Sequence, residues 1–94
     1  MDINREIRLA VNTGETSLGV KEAMKNIEDG KVKMLIAAKN CPEPKFKAKD
    51  YEGVPIYQFK GNNHELGSTA GKPFTVSSIA VMDPGESDIL NLVE

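Results

Sequence analysis

Met34-Leu35-Ile36-Ala37-Ala38 is an unbroken apolar run of strand length. Such a run reads as a central strand covered on both faces. The flanking segments supply the covers. Upstream, Val20, Ala23, Met24 and Ile27 recur at i, i+3, i+4 and i+7, the inner stripe of a helix that Gly19 opens and Asp29-Gly30 closes. Further upstream, Ile3, Ile7, Ala10 and Val11 mark another helix, stopped at Gly14, and Thr16-Ser17-Leu18 makes a very short extended piece. Downstream, Val54–Phe59 reads as a strand, with Pro55 near its start where a missing N–H is tolerated. Asn63 caps a short helix, His64–Ala70, which Gly71 ends, and a clean strand pattern covers Val76–Met82.

Two connections are harder to read. Between Cys41 and Gly53, two prolines and scattered charges leave room for at most two helical turns, over Lys45–Glu52. In Asp83-Pro84-Gly85-Glu86, Asp83 reads as an N-cap, Pro84 as a first-turn residue and Glu86 as the partner completing a capping box. Ile89, Leu90 and Leu92 then form the apolar side of a terminal helix. The alternation of helices and strands predicts an α/β chain: a three-layer α/β/α sandwich around a small four-stranded mixed, mostly parallel sheet.

The 94 residues make one domain, 1–94, large enough for a single core without metals or staples. No apolar run approaches the roughly 20 residues that a membrane span needs. The first residues are polar and carry no apolar signal-peptide core, and the lone Cys41 cannot form an internal disulfide. Both features predict a cytoplasmic protein. The net charge is −2, but it is unevenly spread. Residues 1–60 hold eleven Lys/Arg against nine Asp/Glu, whereas residues 61–94 hold one lysine against five acids. Local field, more than net charge, governs contact with a polyanion, so this map permits RNA binding without proposing it.

Three places can carry such a contact. Gly71-Lys72-Pro73-Phe74 offers a cation and an aromatic side by side on a short rigid connection. A cation meets phosphate and an aromatic meets the face of an unpaired base; the other reading has Phe74 capping the core at the strand start. In Gly19-Val20-Lys21-Glu22-Ala23-Met24-Lys25, the apolar stripe leaves Lys21, Glu22 and Lys25 on the exposed side. Gly19 removes a side chain where backbone N–H groups point outward, so a phosphate or base edge can come close. Lys21 and Glu22 offer a donor and an acceptor to base edges; alternatively they decorate a solvated helix face. Asn40 follows the central strand, at the end where open α/β sheets gather functional residues, or it is a turn residue bonding its own backbone.

Catalytic and metal constellations are weak. His64 is the only histidine and sits in a helix start, and Cys41 has no CxxC partner. Gly67-Ser68-Thr69-Ala70-Gly71-Lys72 is one residue short for a phosphate-binding loop and has Pro73 where the magnesium-binding hydroxyl belongs. One histidine with one cysteine makes no zinc site. The expectation is a non-enzyme with neither cofactor nor metal.

Three segments, taken together, carry a resemblance. They are Thr16 through Lys25 (TSLGVKEAMK), Lys33 through Asn40 (KMLIAAKN), and Gly61 through Phe74 (GNNHELGSTAGKPF) running into Asp83 through Leu90 (DPGESDIL). In that order and spacing the chain resembles the archaeal and eukaryotic large-subunit ribosomal protein "thirty-e" family, within the wider superfamily of kink-turn RNA-binding proteins. The resemblance implies a structural constituent of the large ribosomal subunit that grips a sharply bent internal loop of ribosomal RNA. Gly19, Lys21, Glu22 and Lys25 would enter the groove beside sheared G·A pairs, and Asn40 would contact bases. Phe74 would meet an extruded or unstacked base, with Lys72 and Pro73 shaping its approach. The implied partners are a ribosomal RNA kink-turn and neighbouring ribosomal proteins, with no membrane and a free protein that is monomeric. The competing expectation is a protein-interaction or assembly adaptor of the same fold, whose sign would be a contiguous exposed apolar patch.

Overall fold

The computed structural model describes residues 2–93. Helix α1 (Ile3–Thr13) is capped by Asp2, whose carboxylate accepts the Arg5 N–H at 3.2 Å. Strand β1 (Glu15–Leu18), helix α2 (Val20–Glu28) and strand β2 (Met34–Ala37) follow in order. A 3-10 turn over Pro44–Lys47 leads to β3 (Asp50–Tyr51), β4 (Val54–Gln58), helix α3 (Asn63–Thr69) and β5 (Ser78–Asp83). A second 3-10 turn, Ile89–Leu92, closes the series. Among the described residues no helix is long and apolar enough to cross a membrane.

The apolar run around β2 is the axis of the fold. Met34, Ile36 and Ala38 pack into one cluster with Ile7 and Ala10 of α1, Leu66 of α3 and Ala70, the residue that ends α3. Leu35 and Ala37 pack into the opposite cluster with Ala23 and Ile27 of α2 and with Phe46. This is the period-2 alternation of a strand buried on both faces. It makes three layers: α1 and α3, the sheet, and α2 with the first 3-10 turn.

The sheet has five strands in the order β1-β5-β2-β4-β3, one more than expected, and it is not mostly parallel. Only β2 and β4 run parallel; β1–β5, β2–β5 and β3–β4 are antiparallel. The reason lies in α3. Its seven residues rise only about 10 Å, and the chain then doubles back until the Val76 N–H donates to Asn63 O at 3.1 Å. β5 therefore starts at the sheet end where β4 finishes, and it must run against both β4 and β2.

Of the helical turns expected over Lys45–Glu52, only the 3-10 turn over Pro44–Lys47 forms, and the extra strand takes Asp50 and Tyr51. Glu52 and Gly53 both have positive φ, 53° and 80°, the signature of a two-residue type I′ hairpin turn. It pairs Asp50 with Pro55 and Tyr51 with Val54. The expected terminal α-helix is likewise absent. Gly85 takes φ 60°, and the Asp83 carboxylate accepts the Gly85 N–H at 2.8 Å, which closes a turn where a cap was expected. The Glu86 N–H donates to Thr13 Oγ1 at 2.9 Å, so no capping box forms. Only the 3-10 turn remains, with Ile89 buried against α1 and the Asp88 N–H held by the buried Glu6 carboxylate at 2.8 Å. The capping box belongs instead to α3, where Asn62, one residue before the expected cap, pairs reciprocally with Glu65.

Candidate nucleic-acid interface

Three consecutive residues leading into β5 gather the candidate segments. Val76 N–H reaches Asn63 O at 3.1 Å, Ser77 O accepts the Ala38 N–H at 2.9 Å, and Ser78 O accepts the Gly19 N–H at 2.8 Å. The α2 start, the end of β2 and the α3 start are thereby pinned side by side. The strand directions require it: β1, β2 and β4 all end where β5 begins. Ser78 is fully buried, and its hydroxyl has no partner among the described residues. Sequence reasoning had placed it only as one strand residue.

At the α2 start, Gly19 has φ 102° and no side-chain cap serves the helix. A Cβ at Gly19 would meet nothing within 4 Å, so this helix end faces open space. The first-turn N–H groups, which have no acceptor inside the helix, remain available to an incoming acceptor. Lys21, Glu22 and Lys25 are exposed. Arg5–Glu6 is the one ion pair among the described residues, so none of these three is held in an ion pair.

Asn40 is exposed and does not bond its own backbone. Its Oδ1 accepts the Asn63 N–H at 2.8 Å, and its Nδ2 donates to Asn63 Oδ1 at 3.1 Å. An asparagine amide carries two donor hydrogens and two acceptor lone pairs, so one of each is left on a side chain held in place by two bonds. Asn63 is the anchor here. The signal for it was the doubled asparagine, one residue for the cap and one for the bridge.

The Phe74 loop is built by the way α3 stops. The Gly71 N–H donates to Ser68 O at 3.0 Å and the Lys72 N–H to Gly67 O at 2.9 Å. With Gly71 at φ 78° these two bonds make a Schellman ending. Pro73 then prevents any continuation. A Cβ at Gly67 would collide with the Phe74 carbonyl oxygen, so the loop backbone lies directly on α3. The ring itself points away: Phe74 is 55% exposed, the one large hydrophobic side chain so exposed among the described residues. Lys72 is half-buried and lines an open cleft with His64, Ser68, Pro73, Phe74 and Thr75. Phe74 is thus not a core cap in this structure. Cys41, by contrast, is buried beside Phe46 in the α2-side core, out of reach of a substrate.

The sheet end therefore carries an uncapped helix start with three charged side chains outside any ion pair, a fixed amide with one donor and one acceptor to spare, and an exposed aromatic beside a lysine. Cations for phosphates, amide and carboxylate groups for base edges and a ring for a base face are the elements of RNA recognition. Residues 1–91 match the family described as ribosomal protein L7Ae/L30e/S12e/Gadd45. The chain is 45% identical over 94 residues to the large ribosomal subunit protein eL30 of Methanoregula boonei, across 98% of this chain and 96% of that relative. It is 45% identical over 96 residues to the eL30 protein of Methanococcus maripaludis, again across 98% and 96%. With the eL30 protein of Methanothermobacter thermautotrophicus it shares 42% identity over 97 residues, across 99% of each.

Proposed function

This chain belongs to the ribosomal protein L7Ae/L30e/S12e/Gadd45 family, and from that premise we propose that it is a structural, non-catalytic constituent of the large ribosomal subunit, in the cytoplasm, that grips a kink-turn in ribosomal RNA. The relatives named large ribosomal subunit proteins support the first half of this reading, because they match the chain from end to end. The second half rests on one observation above the others: Phe74 is exposed on a loop whose backbone is locked. Exposing a large aromatic gives the folded protein nothing, whereas stacking a base on it is worth about 1–3 kcal/mol in single-stranded systems.

In this reading Gly19, Lys21, Glu22 and Lys25 lie in the groove beside the sheared G·A pairs. Asn40 reads a base edge, and Lys72 and Pro73 set the approach of an unstacked base to Phe74. The free protein is a monomer, and its other neighbours are ribosomal proteins. It acts by binding the bent RNA and not the extended one, so the bent population grows by the difference in affinity. An adaptor binding a protein through an apolar patch is less well supported, since Phe74 stands alone as an exposed large hydrophobic among the described residues. The test is binding to a kink-turn RNA against the same RNA with its G·A pairs replaced by Watson–Crick pairs. Strong preference for the first is expected; equal affinity for both would remove the kink-turn from the account.

A further inference from the structure

The half of the sheet end beyond Asn40 carries a set of cations that the clamp does not use. Lys39 follows β2, Lys60 follows β4, and Lys45, Lys47 and Lys49 lie on and after the first 3-10 turn. All five are exposed. Three contacts draw them together: the Lys39 N–H donates to Gly61 O at 2.8 Å, Lys47 Nζ donates to Lys39 O at 3.1 Å, and the Gln58 side-chain amide donates to Phe46 O and Ala48 O at 2.7 and 3.0 Å. Lys39, Lys47 and Lys60 are therefore neighbours at one place, not merely residues of a basic stretch.

Their ammonium groups are not locked in ion pairs. The carboxylate of Glu43 is turned onto the Lys45 N–H, and that of Glu65 onto the Asn62 N–H in the α3 capping box. Lys47 Nζ bonds a neutral carbonyl and so keeps its full charge. None of the five lysines is in an ion pair among the described residues. The patch continues the clamp. β4 is one strand from β2, which leads to Asn40, and two from β5, beside which Phe74 and Gly19 lie. At the ordinary strand spacing these steps are about 5 and 10 Å.

We propose that Lys39, Lys47 and Lys60 form a second contact, one that holds the phosphate backbone of an RNA arm leaving the bend. The inference rests on the kink-turn reading and adds to it which part of the same RNA the β4 side of the sheet end takes. A sharply bent RNA presents two arms, and a clamp occupying the β1–β5–β2 half of the sheet end leaves the β4 half facing one of them. Compact, strongly hydrated ammonium groups on flexible stems suit a phosphate backbone, where charge matters and base identity does not. Each phosphate neutralised releases counterions, so the contact must show itself in the salt dependence of binding.

The experiment compares the whole protein with the K39Q/K47Q/K60Q variant on three kink-turn RNAs, one with both arms about a full helical turn long and two in which one arm or the other is trimmed. With the long-armed RNA the slope of log affinity against log salt should flatten by about two to three for the triple variant, roughly one unit per lysine. Trimming one particular arm should abolish the difference between the two proteins, while preference for intact G·A pairs survives in the variant. Equal salt slopes for variant and wild type on the long-armed RNA would overturn the proposal and leave the clamp standing. Flattening that persists when either arm is trimmed would overturn it too, by showing a diffuse field with no seated arm. If the wild-type protein itself shows no preference for the kinked RNA, the clamp fails, and this inference falls with it. Circular dichroism of the variant, expected to be native because all three side chains are exposed, separates lost contact from lost fold.

Discussion

Phe46 and Phe74 both sit on irregular, proline-bearing connections, and the fold uses them in opposite ways. Phe46 is fully buried, its ring edge-on to Tyr51 at 6.1 Å between centroids. Its backbone is satisfied at both ends, the N–H by Glu43 O at 3.1 Å and the carbonyl by the Gln58 amide at 2.7 Å. Phe74 has its backbone pressed onto α3 at Gly67 and its ring in solvent. One connection turns its aromatic inward and finishes the core; the other fixes only the main chain and presents the aromatic. The lesson is that irregularity does not itself mark a site. What singles out a candidate is irregular backbone held rigidly while a costly side chain is left out.

Substitutions at the two connections probe that contrast. Phe46→Ala should have the largest effect, a loss of about 3–5 kcal/mol in unfolding free energy from lost transfer and a cavity. Denaturant titration measures it, and a loss below about 1 kcal/mol would mean that the 3-10 turn is not a working part of the core. Gly67→Ala comes next. Alanine favours the helix by about 1 kcal/mol, but the new methyl meets the Phe74 carbonyl, and overpacking of that kind costs roughly 1–3 kcal/mol. The net stability change should be small or unfavourable, and RNA affinity should fall because the loop must move; unchanged affinity would show that the loop's seat on α3 does not set the ring's position. The smallest effect belongs to Glu52→Asn. Glu52 holds φ 53° in the hairpin turn, and a left-handed backbone costs an ordinary side chain roughly 1–2 kcal/mol, less for asparagine. A rise in unfolding free energy of a fraction of that is expected, with RNA binding untouched.

The same contrast explains how much was legible in the chain. Periodicity located α1, α2, β2, β4, α3 and β5 because each has a core-facing stripe long enough to read, and the three layers follow from covering Met34–Ala38 on both faces. It missed β3 because a two-residue strand has no period, and its turn begins with glutamate where asparagine or glycine would announce it. The terminal helix was misread because Asp83-Pro84 starts a turn and a helix with the same residues. What decides between them is the left-handed Gly85, tied to α1 by the bond from Glu86 to Thr13. Sheet direction could not be read either, since it depends on the return of the chain from Gly71 to Val76 onto Asn63, a contact with no sequence period. Of the candidate site, Gly19, Lys21, Glu22, Lys25 and the Phe74 loop were visible as exposed or unexplained residues. The bridging of Asn40 by Asn63 was not, because it joins residues 23 apart.

The central claim is that Phe74 is presented for contact and not packed. Phe74→Ala is therefore followed through two readouts on the same preparation, affinity for a kink-turn RNA and unfolding free energy. Loss of one stacked base predicts a fall in affinity of roughly 10- to 100-fold, with stability within about 0.5 kcal/mol of the unsubstituted chain, as for other exposed positions. Normal affinity together with a clear loss of stability would contradict the account, because it would make Phe74 a second Phe46.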